Sequence, residues 1–338
     1  MEFKVNKARI SSFFDLPTLG QASREKLYVA QDATFKNKYD FVQRAFIFGI
    51  EVEVENVPNP TIAHEYRPYW DITVDNSLRN NGVEFVSIPL KCTQIEAALH
   101  QLNTSLPKDA DFSPRTSVHV HMNVRDLSIE HITNLLLTYT AVEELLFDWA
   151  GETRTNNVFC VRLTDTDYVN MYRDFTENPR RVVDRWNKYT ALNFHPMECK
   201  GTVEFRHMEG TANSQRIMTW INLLSCIKLY AKQQNITQLI YTLQNLNSTS
   251  EYEAFLFDVF GTLSTHLIPK KHTVQEKMEN AISYIKLATI NREIQEEIRL
   301  RFDPEPRPIP GPGARRLWQE LEQTMVRAVT TPQERMEF

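Results

Sequence analysis

The chain has 338 residues, of which 42% are hydrophobic, 24% charged and 11% aromatic, the balance of a folded globular protein with a large core. Its net charge of −5 provides no basic field, so nucleic-acid binding is not indicated. No apolar run approaches the roughly 20 residues of a membrane span, and four dispersed cysteines with an N-terminus, MEFKVNKARISSFF, unlike a secretion signal point to a cytoplasmic protein.

In chain order, residues 1–45 carry no clear pattern and no assigned role. β-Branched and aromatic alternation predicts strands over Phe46–Val54, Trp70–Val74 and Val83–Ile88. A short helix over Gln94–Leu102 follows, then a strand over Ser117–Val124. Ser128 reads as the N-cap of a long helix ending near Ala150. Strands at Tyr189–Phe194 and Thr202–Met208 precede a helix from Ser214 to about Gln234. Strands and helices do not alternate one for one, which predicts a mainly antiparallel sheet backed by helices. The core is expected over residues 46–234. A helical extension over 235–302 follows, with segments near 237–245, 250–262 and 273–300. A proline-rich connector (303–313, DPEPRPIPGPG) and a C-terminal helix and tail (314–338) complete the chain.

Three segments place ionisable residues two apart on a strand, where side chains share a face. GIEVEVE carries Glu51, Glu53 and Glu55; SVHVHMN carries His119 and His121; TVEFRHMEG carries Glu204 and Arg206. The opposite faces are apolar. One such segment is also what any strand with a wet face shows. Three together suggest a site, because crowded carboxylates repel unless cations neutralise them, and hard oxygen ligands suit Mg²⁺ or Mn²⁺. The nine glycines form no G-x-x-x-x-G-K-[ST] or G-x-G-x-x-G loop, so a nucleotide would be held by side chains and metal ions.

The order G-I-E-x-E, D-x-S with a glutamate strand, H-x-H, K-Y-x-x-L-N and V-E-F-R resembles the amidoligase family of the glutamine synthetase and glutamate–cysteine ligase superfamily, from about Phe48 to Ala231. Lys188 in KYTALN stands where that family is expected to prefer arginine. The resemblance implies an α+β fold: a curved antiparallel sheet of glutamine-synthetase type, backed by helices. It implies an ATP-dependent carboxylate–amine ligase with Mg²⁺ or Mn²⁺, which forms an amide through an acyl phosphate. Its partners would be an acid and an amine, either of them free or within a peptide or protein. By the same resemblance, Glu51, His119 and Glu204 ligate the metal near the transferring phosphate, and Glu53 and Glu84 the metal on the substrate side. His121 lies near the nucleotide phosphates, and Arg206 stabilises the moving phosphoryl group. Asp75 and Ser77 border the acid or amine pocket, and Arg154 and Arg162 contact nucleotide or substrate.

Tyr66, Tyr69 and Trp70 are further candidates for that pocket. The competing readings are a metal-dependent hydrolase using the His119/His121 strand and recruiting His64, His195 or His207, a same-fold amine or guanidino kinase, and a non-catalytic binding protein. LFDVFGTL (256–263) resembles a phosphotransferase nucleophile motif, but no G-D-x-x-x-D follows, and the pattern suits an amphipathic helix carrying Asp258.

Overall fold

The computed structural model of the chain describes residues 6–14, 16, 46–58, 69–177, 179–268 and 271–302. The predicted connector and C-terminal helix, and most of residues 1–45, lie outside the described residues. The described residues up to Asn291 form one compact unit.

Seven strands build one antiparallel sheet: β1 (Ile47–Val54), β2 (Trp70–Val74), β3 (Val83–Ser87), β4 (Leu90–Lys91), β5 (Ser117–Asn123), β6 (Leu192–Asn193) and β7 (Thr202–Glu209). Their order is β2-β3-β1-β5-β7-β6, with β4 paired to β1. The pleat turns Ile50, Val52 and Val54 of β1, and Val118, Val120 and Met122 of β5, to one side, where all six are fully buried. That side is covered by helices, notably α2 (Ile129–Ala150) and α5 (Ser214–Gln233), which also pack on each other. Ser128 caps α2 as the sequence predicts, its hydroxyl accepting from His131 N at 3.1 Å.

Helix α1 (Cys92–Ser105) is longer than predicted. Its Ala98 carbonyl accepts from Trp70 Nε1 at 2.7 Å, which fixes the edge strand β2 to the core. The predicted strand Tyr189–Phe194 shrinks to two residues. Asn187 Oδ1 accepts from Tyr189 N at 3.0 Å, an Asx turn that diverts the backbone before it can pair. Helices α3 (Tyr168–Glu177) and α4 (Pro179–Arg185) precede that turn, in an interval where sequence patterning assigned no element. The predicted C-terminal helices appear as α6 (Ile236–Gln244), α7 (Thr249–Phe260) and α8 (Lys271–Phe302). Asp258 lies within α7, so it holds no strand-end position. No helix among the described residues is long and apolar enough to cross a membrane.

Candidate functional site

The polar face of the sheet gathers side chains from four strands. Register sets Glu51 opposite His119, Glu53 opposite Glu84, and His121 opposite Glu204. In the β5–β7 pair the register shifts between Val118 and Val120, so Val118 faces Met208 and Val120 faces Phe205. Arg206 and His207 therefore share the space opposite His119, as in a β-bulge. Arg206 stays with the carboxylates, while the fully buried His207 packs against Tyr139, Phe147 and Trp220.

His121 Nε2 lies 3.0 Å from Glu51 Oε1 and 3.8 Å from Glu204 Oε1. His119 Nδ1 is 3.4 Å from both Glu51 Oε2 and Glu204 Oε1. Arg206 Nη1 donates to Glu204 Oε1 at 2.5 Å. The near-surface Lys200 ammonium stands 3.8 Å from Glu51 Oε1.

Two supporting residues were missed by the sequence reading. Asn193 donates to Glu204 Oε2 at 2.7 Å and accepts from His195 N at 3.0 Å. It is the last residue of the K-Y-x-x-L-N motif, which was the available signal. Ser117 donates to Glu53 Oε2 at 2.6 Å and sits 2.7 Å from His119 Nε2. It shares the polar face by lying two residues before His119, but serine on a strand carries no ligand signal by itself.

Among the described residues, two groups offer ligand atoms within 4.8 Å of one another: Glu51, His121 and Glu204, and Glu51, Glu84 and His119. Glu51 belongs to both. The buried His121 Nε2 approaches Glu51 without hydrogen-bond alignment and has no other hydrogen-bond partner. An orphaned lone-pair donor beside converging carboxylates fits a divalent cation. The oxygen-rich set, with a single imidazole in each group, suits Mg²⁺ or Mn²⁺ better than zinc.

The electrostatics fit that reading. Burial pushes Glu51 up, but the adjacent imidazoles of His119 and His121 overcome it and hold the carboxyl well below its usual range. Glu204 is also held low despite burial, by His119, His121 and Arg206. Glu84 is pushed up to about 7 by burial and by the charges of Glu51, Glu53 and Asp75, against a smaller pull from His119. Because folding raises this pKa, the ion-free fold holds the Glu84 proton more tightly than the unfolded chain. Its contribution to stability is present below the ordinary value of 4.5 and fades as pH rises towards 7. A cation bound there would displace that proton. Titration calorimetry at pH 6 in buffers of different ionisation enthalpy is expected to show proton release on Mg²⁺ binding. Affinity should rise with pH until Glu84 is ionised, and Glu84→Gln should lessen the release, the remainder coming from His119, whose pKa is raised, against burial and Arg206, by the neighbouring carboxylates. Equal heats in all buffers, after correction, would remove Glu84 from the site.

The other predicted residues distribute as follows. Asp75 Oδ1 accepts from Ser77 N at 2.7 Å in the turn after β2, and Ser77 O accepts from Arg115 at 3.0 Å. The Asp75 charge reaches Glu84. Arg154 is fully buried and donates from Nη2 to the Arg206 carbonyl at 2.9 Å, so it touches the site through the backbone. Arg162 pairs with Asp165 at 2.9 Å, away from the cluster. Glu55 lies past the end of β1, 1% exposed, and closes on Arg79 instead of joining Glu51 and Glu53. Trp70 is a core residue, and Tyr69 is also buried. His195 is held by the Trp186 carbonyl, and His207 lies under the sheet, so neither extends a histidine metal site. Tyr66 and His64 lie outside the described residues.

Beside the cluster, a cavity of about 360 Å³ is lined by Lys188, Tyr189, Asn193, His195 and Arg206. None of these residues is a carboxylate, and the Lys188 ammonium lies 4.9 Å from the centre of the Tyr189 ring.

Residues 63–228 match a family model described as "putative amidoligase enzyme". This interval covers β2 to most of α5 and includes Glu84, His119, His121, Glu204 and Arg206; β1, with Glu51 and Glu53, precedes it. No curated protein matches the chain. The family match supports an amide-bond-forming ligase.

Proposed function

With residues 63–228 assigned to the amidoligase family, we propose that this protein is an ATP-dependent carboxylate–amine ligase of glutamine-synthetase type, acting in the cytoplasm through an acyl phosphate. One observation carries the reading: Glu51, Glu53, Glu84 and Glu204 share a sheet face with His119, His121 and Arg206, next to a cavity to which Lys188 and Arg206 bring positive charge.

The chemistry needs this division of charge. A carboxylate is a poor acyl donor because oxide is a poor leaving group. Its oxygen attacks the γ-phosphorus of ATP, the bond from that phosphorus to the ADP oxygen breaks, and an acyl phosphate forms. The amine nitrogen then attacks the acyl carbon, phosphate leaves, and the nitrogen loses a proton. Arg206 is placed to stabilise the phosphoryl oxygens in flight. The cavity with Lys188 and His195 receives the nucleotide phosphates, which His121 borders. Glu84, ionised once the cation is bound, offers a carboxylate on the substrate side to accept the amine proton. Asp75 and Ser77 border the acid or amine pocket beside it. Mg²⁺ or Mn²⁺, when bound by Glu51, Glu53, Glu84, His119, His121 and Glu204, neutralises phosphate and carboxylate charge and orients the reacting oxygens.

The test is isotopic. The chain is incubated with ATP, Mg²⁺, a panel of amines and acids labelled with ¹⁸O in the carboxylate. A ligase yields an amide, ADP and phosphate carrying one ¹⁸O from the acid. A phosphorylated amine with no amide would instead identify a kinase, and cleavage without ATP a hydrolase.

A further inference from the structure

We propose that Ser117 is a positioning residue that sets the tautomer of His119 and so keeps Nδ1 free as its ligand atom. The inference rests on the metal-site reading above and adds a residue to which nothing else gives a role.

Ser117 is 2% exposed and lies on the same face of β5 as His119. Its hydroxyl contacts two groups at once, Glu53 Oε2 at 2.6 Å and His119 Nε2 at 2.7 Å. A hydroxyl has one proton, and an ionised carboxylate can only accept. The proton therefore goes to Glu53, and the serine oxygen must accept from His119. Neutral His119 then carries its hydrogen on Nε2, which leaves the lone pair on Nδ1. That nitrogen points between Glu51 Oε2 and Glu204 Oε1, 3.4 Å from each, which is where a ligand atom is needed. The opposite tautomer would put a hydrogen there and a lone pair against the serine oxygen. The hydroxyl also joins Glu53, which belongs to neither of the tightest ligand groups, to the histidine of one of them. Hydrogen bonds behind ligating imidazoles commonly act in this way.

Two readouts test the proposal. In the ion-free native chain at alkaline pH, the two-bond ¹H–¹⁵N spectrum of labelled histidine rings is expected to show His119 as the Nε2–H form, assigned by its loss in His119→Asn. In Ser117→Ala that signature should give way to a mixture, and Mn²⁺ affinity should fall about 10–100-fold with the unfolding midpoint little changed. Ser117→Thr, which keeps the hydroxyl, should restore both. An Nδ1–H form in the native chain, or an alanine variant that keeps the Nε2–H form and native affinity, overturns the inference. A native chain that shows the Nε2–H signature, lost in Ser117→Ala, but binds no Mn²⁺ supports the role of Ser117 in setting the tautomer and overturns the metal-site reading instead.

Discussion

Glu51→Ala is expected to abolish the joint stabilisation of the chain by ATP and Mg²⁺. Glu51 is the one carboxylate common to both ligand groups. Its two oxygens face different imidazoles, His121 at 3.0 Å and His119 at 3.4 Å, so alanine removes a ligand from each group together. A ligand at about 100 times its dissociation constant adds about 2.7 kcal/mol to the native state, and that shift should vanish in the variant. The ion-free variant should still fold, because the neighbouring Ile50 and Val52 that build the core face away from the site. The repulsion of Glu84 that alanine relieves is set against the lost attraction of Glu51 to His119 and His121. Thermal unfolding of native and variant chains with nothing, ATP alone, Mg²⁺ alone and both checks this. A variant stabilised by the pair as fully as the native chain would place the nucleotide–metal site elsewhere.

Arg206→Ala is expected to lower kcat by about 10³–10⁵, the range found for arginines that stabilise a phosphoryl group in flight, while leaving Mg²⁺ binding measurable. The backbone of Arg206 is pinned from two sides, its N–H by the Ala191 carbonyl at 2.8 Å and its own carbonyl by Arg154 at 2.9 Å. Its guanidinium is anchored by one nitrogen to Glu204, while Nε has no hydrogen-bond partner. The side chain thus borders both the carboxylates and the cavity. Arg206→Lys keeps the charge but loses the planar fork, so it should recover only part of the rate. The measurements are steady-state turnover on the substrate pair found by isotopic screening and calorimetric Mg²⁺ binding. A kcat within tenfold of native would assign Arg206 to holding Glu204 alone.

The elements that carry the site were legible because their signal is local. Alternation over Glu51 to Val54, Val118 to Met122 and Val203 to Arg206 states that ionisable side chains share a face, since the strand period is two. Ser128 announced the start of α2 in the same local way. The Asx turn at Asn187 was local too, but β-rich composition masked it, and a two-residue β6 resulted where six residues were expected.

The sequence by itself determined which residue types stand on which side of each strand, and the order of motifs that resembles the amidoligase family. Tertiary structure alone decided which of those side chains meet. The pairing of Glu51 with His119 and of His121 with Glu204 depends on register between strands far apart in the chain, and a one-residue slip would turn each set to the other face. The register shift against β7 turns Met208 into the core beside His207, where strict alternation would set it on the polar face. Burial of Arg154 behind the Arg206 carbonyl, closure of Glu55 on Arg79, and the seating of Ser117 between Glu53 and His119 depend on the same long-range packing. A strand's own periodicity fixes the direction of a side chain. Only its neighbours fix what lies there to meet it.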